Sequence, residues 1–193
     1  MMGSERLESL LKLLGGLMDA EGTPDLRLVV SGGAALIAER VIERSTADVD
    51  VFAQRELEGD IIPGNPLPGW FVDLVQRVAM IEELPRNWIN ADTSLVINGF
   101  EMLPKDCLRD LEEISFGSRL RISFLKRGSQ IYLKAYAIIG RDEPRDSSDF
   151  RALQPTLEEI TNAVDWMLER DLIGSNYVVL AKEKLTRVND GQE

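Results

Sequence analysis

The segment that most restricts the fold of this chain is an apolar run that ends in two glycines and is followed, one helix later, by Asp-x-Asp. Residues 26–30 are apolar apart from Arg27 and include two β-branched valines, and they end just before Gly32-Gly33, which predicts a buried strand. Residues 34–43 have a helical composition, and residues 48–52 alternate as a second strand. This order predicts an α/β (α+β) fold in which a small mixed sheet is flanked by helices.

The rest of the chain adds further helices and at least one more strand. Periodicity predicts helices at 5–18, 71–83, 129–139 and 175–188, and one after Pro155 with a Thr156/Glu159 capping box. Alternation predicts strands at 94–97 and 120–125, and clusters of proline, glycine or charge predict loops at 60–69 and 140–148. We expect a single domain over residues 1–193, with a sheet-containing core at 24–125 and a helical C-terminal part at 129–188.

The composition excludes several kinds of active site. The 193 residues include no histidine and one cysteine, which removes Ser-His and Cys-His pairs and the usual zinc sites. An enzyme built from this chain would depend on carboxylates, lysines, arginines and a hard cation such as Mg²⁺. The net charge of −11 disfavours extended nucleic-acid binding, although it leaves RNA open. The lone Cys107 favours a reducing cytoplasm, and no segment predicts a membrane span or a secretory signal.

The Asp-x-Asp sequence predicts a metal site. Residues i and i+2 of a strand project from the same face, so Asp48 and Asp50 lie together while Val49 and Val51 enter the apolar layer. Two carboxylates this close repel each other unless a cation such as Mg²⁺ or Mn²⁺ lies between them. A lone Asp-x-Asp is more often a solvated strand edge. The apolar neighbours and the glycine turn upstream favour the metal interpretation here.

The glycine turn predicts a phosphate contact. A strand that ends in Gly32-Gly33 and turns into a helix lets the backbone approach a ligand and directs the helix amides at it. The hydroxyl of Ser31 is a further donor. Gly-Gly before a helix is common, so the turn alone is a weak signal.

Together these features resemble the signature of the nucleotidyltransferase superfamily. The pattern is most similar to a small bacterial branch that includes the abortive-infection-type toxins of type IV toxin–antitoxin systems. The similarity covers about residues 27–160. It is carried by Gly32-Gly33, Arg44-Ser45-Thr46-Ala47-Asp48-Val49-Asp50-Val51, Trp88-Ile89-Asn90, Leu133-Lys134-Ala135-Tyr136-Ala137, Arg141 and Arg145-Asp146-Ser147-Ser148-Asp149-Phe150.

The resemblance implies roles for the residues that match the family pattern. It implies that Asp48 and Asp50 bind the metal ions, and that Ser31, Gly32 and Gly33 line the triphosphate of an NTP. It also implies that Lys134 contacts the nucleotide phosphates. One of Asp146 and Asp149 would be an additional acid, either a general base or a partner of Lys134 or Arg145. The alternatives are that Lys134 is a solvated helix residue and that Asp149 is a helix N-cap.

The chain also departs from the family pattern at two places. Ala34 follows the second glycine where the superfamily usually has a serine, and the strand at 120–125 carries Arg121 and Ser123 instead of a third carboxylate. Two functions therefore stay open. One is a magnesium-dependent nucleotidyltransferase that moves an NMP from an NTP to a hydroxyl of RNA, protein or a small molecule. The resemblance to the toxin branch further implies a toxin-type enzyme with an antitoxin partner. The other is a catalytically degenerate module that binds a nucleotide or a protein.

Overall fold

A mixed sheet and several helices make up the described part of the chain, which is residues 1–93, 102–109, 111–141 and 143–192 of a computed structural model. The described strands are β1 Leu26–Ser31, β2 Val49–Arg55, β3 Ile61–Pro63, β4 Ile89–Asn90, β5 Glu113–Ser115 and β6 Leu120–Phe124. The described α-helices are α1 Ser4–Glu21, α2 Gly32–Ala38, α3 Gly69–Ile81, α4 Arg127–Arg141, α5 Pro144–Leu153, α6 Leu157–Glu169 and α7 Val178–Asn189. Short 3₁₀ turns occur at Lys105–Leu108 and Ser175–Tyr177. The predicted fold class is confirmed.

The chain divides into two compact units. One contains Met1–Met102 and Arg109–Leu125 and carries the whole described sheet. The other contains Leu103–Leu108 and Lys126–Glu193 and is helical. The prediction of a single domain over the full length stays a prediction.

The sheet of the first unit has the strand order β3-β2-β1-β6-β5, and β4 pairs with β2. The central strand β1 runs antiparallel to β2 and parallel to β6. One face of the sheet carries the apolar residues of these strands and packs against α1, α2 and α3. Trp88 is fully buried there, and its indole N–H donates to the carbonyl of Val75 at 3.0 Å. Arg27 and Ser31 of β1 and Asp50 of β2 consequently lie on the opposite face.

The first helix shows how sequence fixes this packing. The predicted helix at 5–18 forms α1 and buries Leu7, Leu10, Leu11, Leu14 and Met18. Gly22 ends α1 in the left-handed conformation at φ 63°. Gly15, inside the helix, lies directly against the backbone carbonyl of Phe116, so a β-carbon at this position would collide with it. Gly15 therefore marks a close contact between the interior of α1 and the loop that contains Phe116.

Three predicted boundaries are wrong. The helix expected at 34–43 ends at Ala38, and Arg40 adopts a positive φ of 58° just after it. The loop expected at 60–69 contains β3, which pairs with β2. The loop expected at 140–148 contains the start of α5, whose first residue is Pro144, a position where proline lacks only an N–H that has no helical partner. The strand predicted at 94–97 lies outside the described residues.

The helical unit packs α4 against α5 and α6. The predicted capping box at the start of α6 is present: Thr156 Oγ1 accepts from the amide of Glu159 at 3.1 Å, and Glu159 accepts from the amide of Thr156 at 2.8 Å. Trp166 of α6 makes edge-on contacts with the rings of Tyr132 and Tyr136 of α4. Among the described helices, none has the length and apolar character needed to cross a bilayer.

Candidate active site

The turn after β1 requires glycine at Gly32 for two reasons. Gly32 has a φ of +66°, a left-handed conformation that costs an L-residue with a side chain about 1–2 kcal/mol. A β-carbon at Gly32 would also occupy the same space as the carboxylate oxygen Oδ2 of Asp50. The glycine therefore allows the Asp50 carboxylate to lie directly against the turn.

The second glycine of the turn, Gly33, accommodates Thr46, for which the sequence predicts no role. A β-carbon at Gly33 would lie 2.7 Å from Oγ1 of Thr46. Thr46 is buried and is held by reciprocal backbone hydrogen bonds with Met2, at 2.6 and 2.9 Å. Its hydroxyl donates to Oδ1 of Asp48 at 3.3 Å. Thr46 thus connects Gly33 to Asp48, and its place two residues before the first aspartate was the available sequence signal.

The two aspartates alternate with buried valines as predicted. Val49 and Val51 have no exposed surface and belong to the core, while Asp48 and Asp50 are half-buried. The strand begins at Val49, so Asp48 lies immediately before it. The alternation directs the Asp50 carboxylate away from the buried valines, and the hydrogen bond from Thr46 holds Asp48 just before the strand.

Asp50 has a neighbour on each side of its strand. It lies opposite Ser31 of β1 and opposite Asn90 of β4. The side-chain oxygen of Asn90 accepts from the amide of Asp92 at 3.0 Å, which fixes the orientation of this amide group. Asn90 belongs to a segment that resembles the family pattern, and the strand register places it beside Asp50.

Ser31 contributes a buried hydroxyl at the end of β1. Ser31 is fully buried, and its Oγ has no hydrogen-bond partner among the described residues. Ser31 occupies the N-cap position of α2, yet its side chain makes no capping hydrogen bond. A buried hydroxyl without a partner costs about 1–3 kcal/mol, which an incoming oxygen acceptor would recover.

The neighbouring strand β6 supplies a serine at the level of this site. Ser123 pairs with Val29, two residues before Ser31, and is buried. Residues i and i+2 share a face, so Ser123 projects from the same side of the sheet as Ser31. The predicted departure from the family pattern at this strand, a serine in place of a third carboxylate, is present in the fold.

The only acidic side chains that the described part of the sheet offers to a magnesium ion beside this turn are the two carboxylates of Asp48 and Asp50. Among the described residues, no group of three or more acidic, cysteine or histidine side chains is close enough to hold a metal. Mg²⁺ is usually bound by one or two carboxylates and completes its shell with substrate phosphates and water. Asp48 and Asp50 fit that pattern.

The helical unit contains a second acidic centre, which we call the lysine cluster and define as Lys134, Arg141, Asp146 and Asp149. Lys134 Nζ lies 2.8 Å from Oδ1 of Asp146 and 2.8 Å from Oδ2 of Asp149. The exposed fractions of the three side chains are 10%, 3% and 0%. Arg141 Nε donates to Oδ2 of Asp146 at 2.7 Å. The solvated-lysine alternative is wrong for this position.

The helix that bears the two acids explains their pairing. Asp146 and Asp149 are three residues apart in α5, which places them on one helix face toward Lys134 of α4. Asp149 lies inside the helix, whose N-cap is Glu143, so the N-cap alternative for Asp149 is also wrong.

The charge state of Asp146 follows from these contacts. Burial alone would raise the pKa of this carboxyl, but the Arg141 hydrogen bond and the charge of Lys134 outweigh it and hold the pKa below its ordinary value. The carboxylate is therefore ionised at neutral pH and neutralised by both cations.

The structure groups the predicted site residues into two sets. Ser31, Gly32 and Asp50 lie together at the end of β1, and Thr46 connects Gly33 with Asp48 beside them. Lys134, Asp146 and Asp149 lie together in the other unit. The nucleotide contact of Lys134 and the role of either acid as a general base stay predictions.

Comparison with known families gives one match. A family described as "Nucleotidyltransferase of unknown function (DUF6036)" matches residues 5–188. The match spans most of the chain, so the chain belongs to this family. No curated protein and no solved structure matches the chain. The resemblance to nucleotidyltransferases is confirmed, and family membership supports nucleotidyl transfer from an NTP as the general activity. The resemblance to the toxin branch stays a prediction.

Proposed function

We propose that this family member transfers an NMP from a magnesium-bound NTP to a hydroxyl acceptor, with its catalytic centre at the Ser31–Gly32 turn and Asp48/Asp50. The observation that supports this most strongly is the position of Asp50. Its carboxylate lies against Gly32, in space that a β-carbon would fill, and opposite Ser31 in the sheet. Carboxylates beside a glycine turn juxtapose the groups that bind a cation and a phosphate.

Each residue around the Ser31–Gly32 turn has a distinct role in the proposed reaction. Asp48 and Asp50 would hold the Mg²⁺ or Mn²⁺, which when bound neutralises charge on the triphosphate and on the leaving pyrophosphate. Gly32 and Gly33 leave room for the backbone to approach a phosphate oxygen. The buried hydroxyl of Ser31 donates to that oxygen, and Thr46 orients the Asp48 carboxylate.

The acceptor and setting are finer parts of the same proposal. The acceptor hydroxyl belongs to RNA, a protein or a small molecule, and the resemblance to type IV toxins supports a toxin enzyme with an antitoxin partner. The net charge of −11 favours a small or local acceptor over a long nucleic-acid strand. The lone cysteine supports a cytoplasmic location.

A second candidate function is a degenerate module that binds the nucleotide without transferring it. It is favoured by Ser123, which occupies the face of β6 where many family members place the general base. In that case Asp48 and Asp50 hold a magnesium nucleotide as a ligand. The two candidates share a binding site and differ in turnover.

Thermal melting with each NTP, with and without Mg²⁺, tests the site that both candidates share. At about 100 Kd of ligand we expect a rise in Tm of about 5 °C or more that requires both NTP and metal. Asp50→Asn should abolish the rise. Asp73→Asn, the same change at an exposed position of α3, is the matched control and should keep it. Absence of a shift for every NTP would exclude both candidates.

Label transfer separates the two candidates. The protein is incubated with α-labelled NTPs, Mg²⁺ and a bacterial extract of RNA and protein. The transferase predicts label on a defined species, lost with Asp50→Asn and retained with Asp73→Asn. A metal-dependent melting shift without any label transfer would favour the binding module.

A further inference from the structure

The short strand β4 brings an amide side chain to the edge of the aspartate site. β4 runs parallel to β2, with Ile89 opposite Val49 and Asn90 opposite Asp50. Residues opposite each other in a sheet project from the same face. Val49 and Ile89 are buried in the core, so Asn90 projects with Asp50 from the other face. Asn90 is half-buried there, on the side of Asp50 away from β1.

Two hydrogen bonds orient the amide group of Asn90. Its Oδ1 accepts from the backbone N–H of Asp92 at 3.0 Å. An N–H can be accepted only by the oxygen end of a side-chain amide, so this bond decides which end faces Asp92. Nδ2 consequently faces the other way, toward the carbonyl of Asn87 at 3.5 Å. Because N–H···O hydrogen bonds are usually about 2.7–3.2 Å long, this donor is only weakly used.

The nitrogen end of the Asn90 amide points toward the end of the sheet where Asp48 lies. The amide of Val49, the first residue of β2, donates to the carbonyl of Trp88, just before β4, at 2.7 Å. The segments that lead into the two parallel strands therefore lie side by side. Asp48 belongs to one of them and Asn87 to the other. A donor directed at Asn87 is thus directed toward the space beside Asp48.

Asp50 consequently has a hydrogen-bond donor on each side. On the β1 side is the hydroxyl of Ser31, which has no partner among the described residues, and on the β4 side is the weakly used Nδ2 of Asn90. A bare metal ion would engage the aspartate oxygens and offer nothing to these donors. A magnesium-bound polyphosphate brings a cation for the carboxylates and oxygen acceptors for the donors together.

We propose that Asn90 is a substrate-binding residue whose Nδ2 donates a hydrogen bond to a phosphate oxygen of the magnesium-bound NTP. This inference rests on the nucleotide site proposed above and adds a donor on the β4 side of Asp50. Asn90 would bind a group that all NTPs share, so it does not select among bases. Its oxygen is engaged by Asp92 and is not a metal ligand.

Calorimetric titration in Mg²⁺ with ATP, GTP, CTP and UTP, and with tripolyphosphate, which has neither sugar nor base, tests the proposal. Asn90→Asp keeps an oxygen for the amide of Asp92 and replaces the donor by an acceptor. The Kd of every polyphosphate that binds should rise at least about tenfold, because a hydrogen bond to a charged group is lost. Asn90→Ala removes the donor without adding charge and should weaken binding less. The Tm of each variant without ligand reports whether its fold is intact.

Asn87→Asp is the matched control. It makes the same change three residues upstream, at an exposed position. It should alter the Kd by less than about threefold, because an exposed charge is screened by salt. The control therefore separates loss of the Asn90 donor from the added negative charge.

The outcomes distinguish this inference from the nucleotide site itself. If the unsubstituted protein binds no magnesium polyphosphate, the nucleotide proposal fails and this one fails with it. If it binds and Asp50→Asn abolishes binding, the site stands and the Asn90 variants decide this inference alone. Asn90→Asp that binds as tightly as Asn87→Asp would overturn it, and tighter binding would place a metal ion at this position. Weakening seen with NTPs but not with tripolyphosphate, or no binding of tripolyphosphate at all, would assign Asn90 to the nucleoside instead.

Discussion

The two acidic centres of the chain differ in how their carboxylates are satisfied. In the lysine cluster Asp146 and Asp149 are nearly dry and are held by cations at 2.7–2.8 Å. At the other centre, beside the Ser31–Gly32 turn, Asp48 is half-buried and accepts a longer, 3.3 Å hydrogen bond from the Thr46 hydroxyl. The Ser31 hydroxyl has no hydrogen-bond partner in the described part of the chain. A satisfied centre stabilises the fold, whereas polar groups left short of partners are suited to a ligand.

This contrast predicts the largest effect for loss of the buried lysine. Lys134→Met leaves buried carboxylates without their shared cation, and breaking a buried ion pair costs about 3–5 kcal/mol. Urea unfolding at pH 7 measures the loss. Lys182→Met removes a lysine whose pair with Asp165 is half exposed, so it should cost less than about 1 kcal/mol.

A different result would change the assignment of the lysine cluster. If Lys134→Met unfolds at the same urea concentration as Lys182→Met but loses label transfer, the lysine acts in catalysis and does not stabilise the unit. That outcome would favour the role implied by the resemblance.

Among the residues beside the Ser31–Gly32 turn, the largest loss of stability is expected for substitution of Gly32. Gly32→Ala forces a positive φ on a residue with a side chain and drives a β-carbon into the Asp50 carboxylate. We expect a loss of about 2–3 kcal/mol together with loss of the NTP-dependent melting shift. Gly16→Ala is the control, because this glycine is exposed in α1 with no atom within 4 Å of a β-carbon. It should stabilise the protein by about 0.5–1 kcal/mol. Equal melting temperatures for the two variants would show that Gly32 tolerates a side chain.

Local patterns in the sequence were sufficient for most elements of the fold. Three examples are the helical spacing of leucines in α1, the alternation around Val49 and Val51, and the capping box of α6. Each pattern involves only residues that are close in sequence. The start of α5 was missed because a charged, proline-containing segment favours a loop by composition. Only tertiary contact with Lys134 gives its acids a buried partner.

The residues that the structure brings together at the end of β1 were predictable from the sequence, but their contacts were not. Asp48, Asp50 and the two glycines were found from spacing, since strand alternation is local. Thr46 and Asn90 were not assigned roles, because their positions beside Gly33 and Asp50 depend on turn geometry and on pairing between strands distant in sequence.

A smaller change in stability is expected for the Arg127–Glu159 ion pair of the helical unit, which is only partly buried. Hydrogen bonds from Arg127, at 2.6 and 3.0 Å, lower the pKa of Glu159 from 4.5 to about 2, with the Thr156 amide adding to the effect. Because the folded pKa lies below the unfolded one, this stabilisation is present above pH 4.5 and is lost as the pH falls toward 2. Glu159→Gln should cost about 1 kcal/mol at pH 7, and the difference from the unsubstituted protein should shrink below pH 4.5.

The control for this pH profile is the adjacent acid. Glu158→Gln changes an exposed residue of the same helical turn and should alter stability by a few tenths of a kcal/mol at any pH. Urea unfolding between pH 3 and 7 gives both profiles. Parallel profiles for the two variants would mean that the Arg127–Glu159 pair contributes nothing measurable.

The smallest effect on stability is expected for substitution of Ser31. The same substitution is the sharpest test of the difference between the lysine cluster and the residues beside the glycine turn. Ser31→Ala removes a buried hydroxyl that has no partner among the described residues, so the free energy of unfolding should stay equal or rise by about 0.5 kcal/mol. The same change should reduce the NTP-dependent melting shift, because the phosphate loses a donor. Ser123→Ala on the same face is the control and should leave the shift intact. A protein that is no less stable but binds NTP more weakly would show that the unsatisfied hydroxyl is kept for the ligand. A clear loss of stability would instead place Ser31 among the groups that hold the fold together.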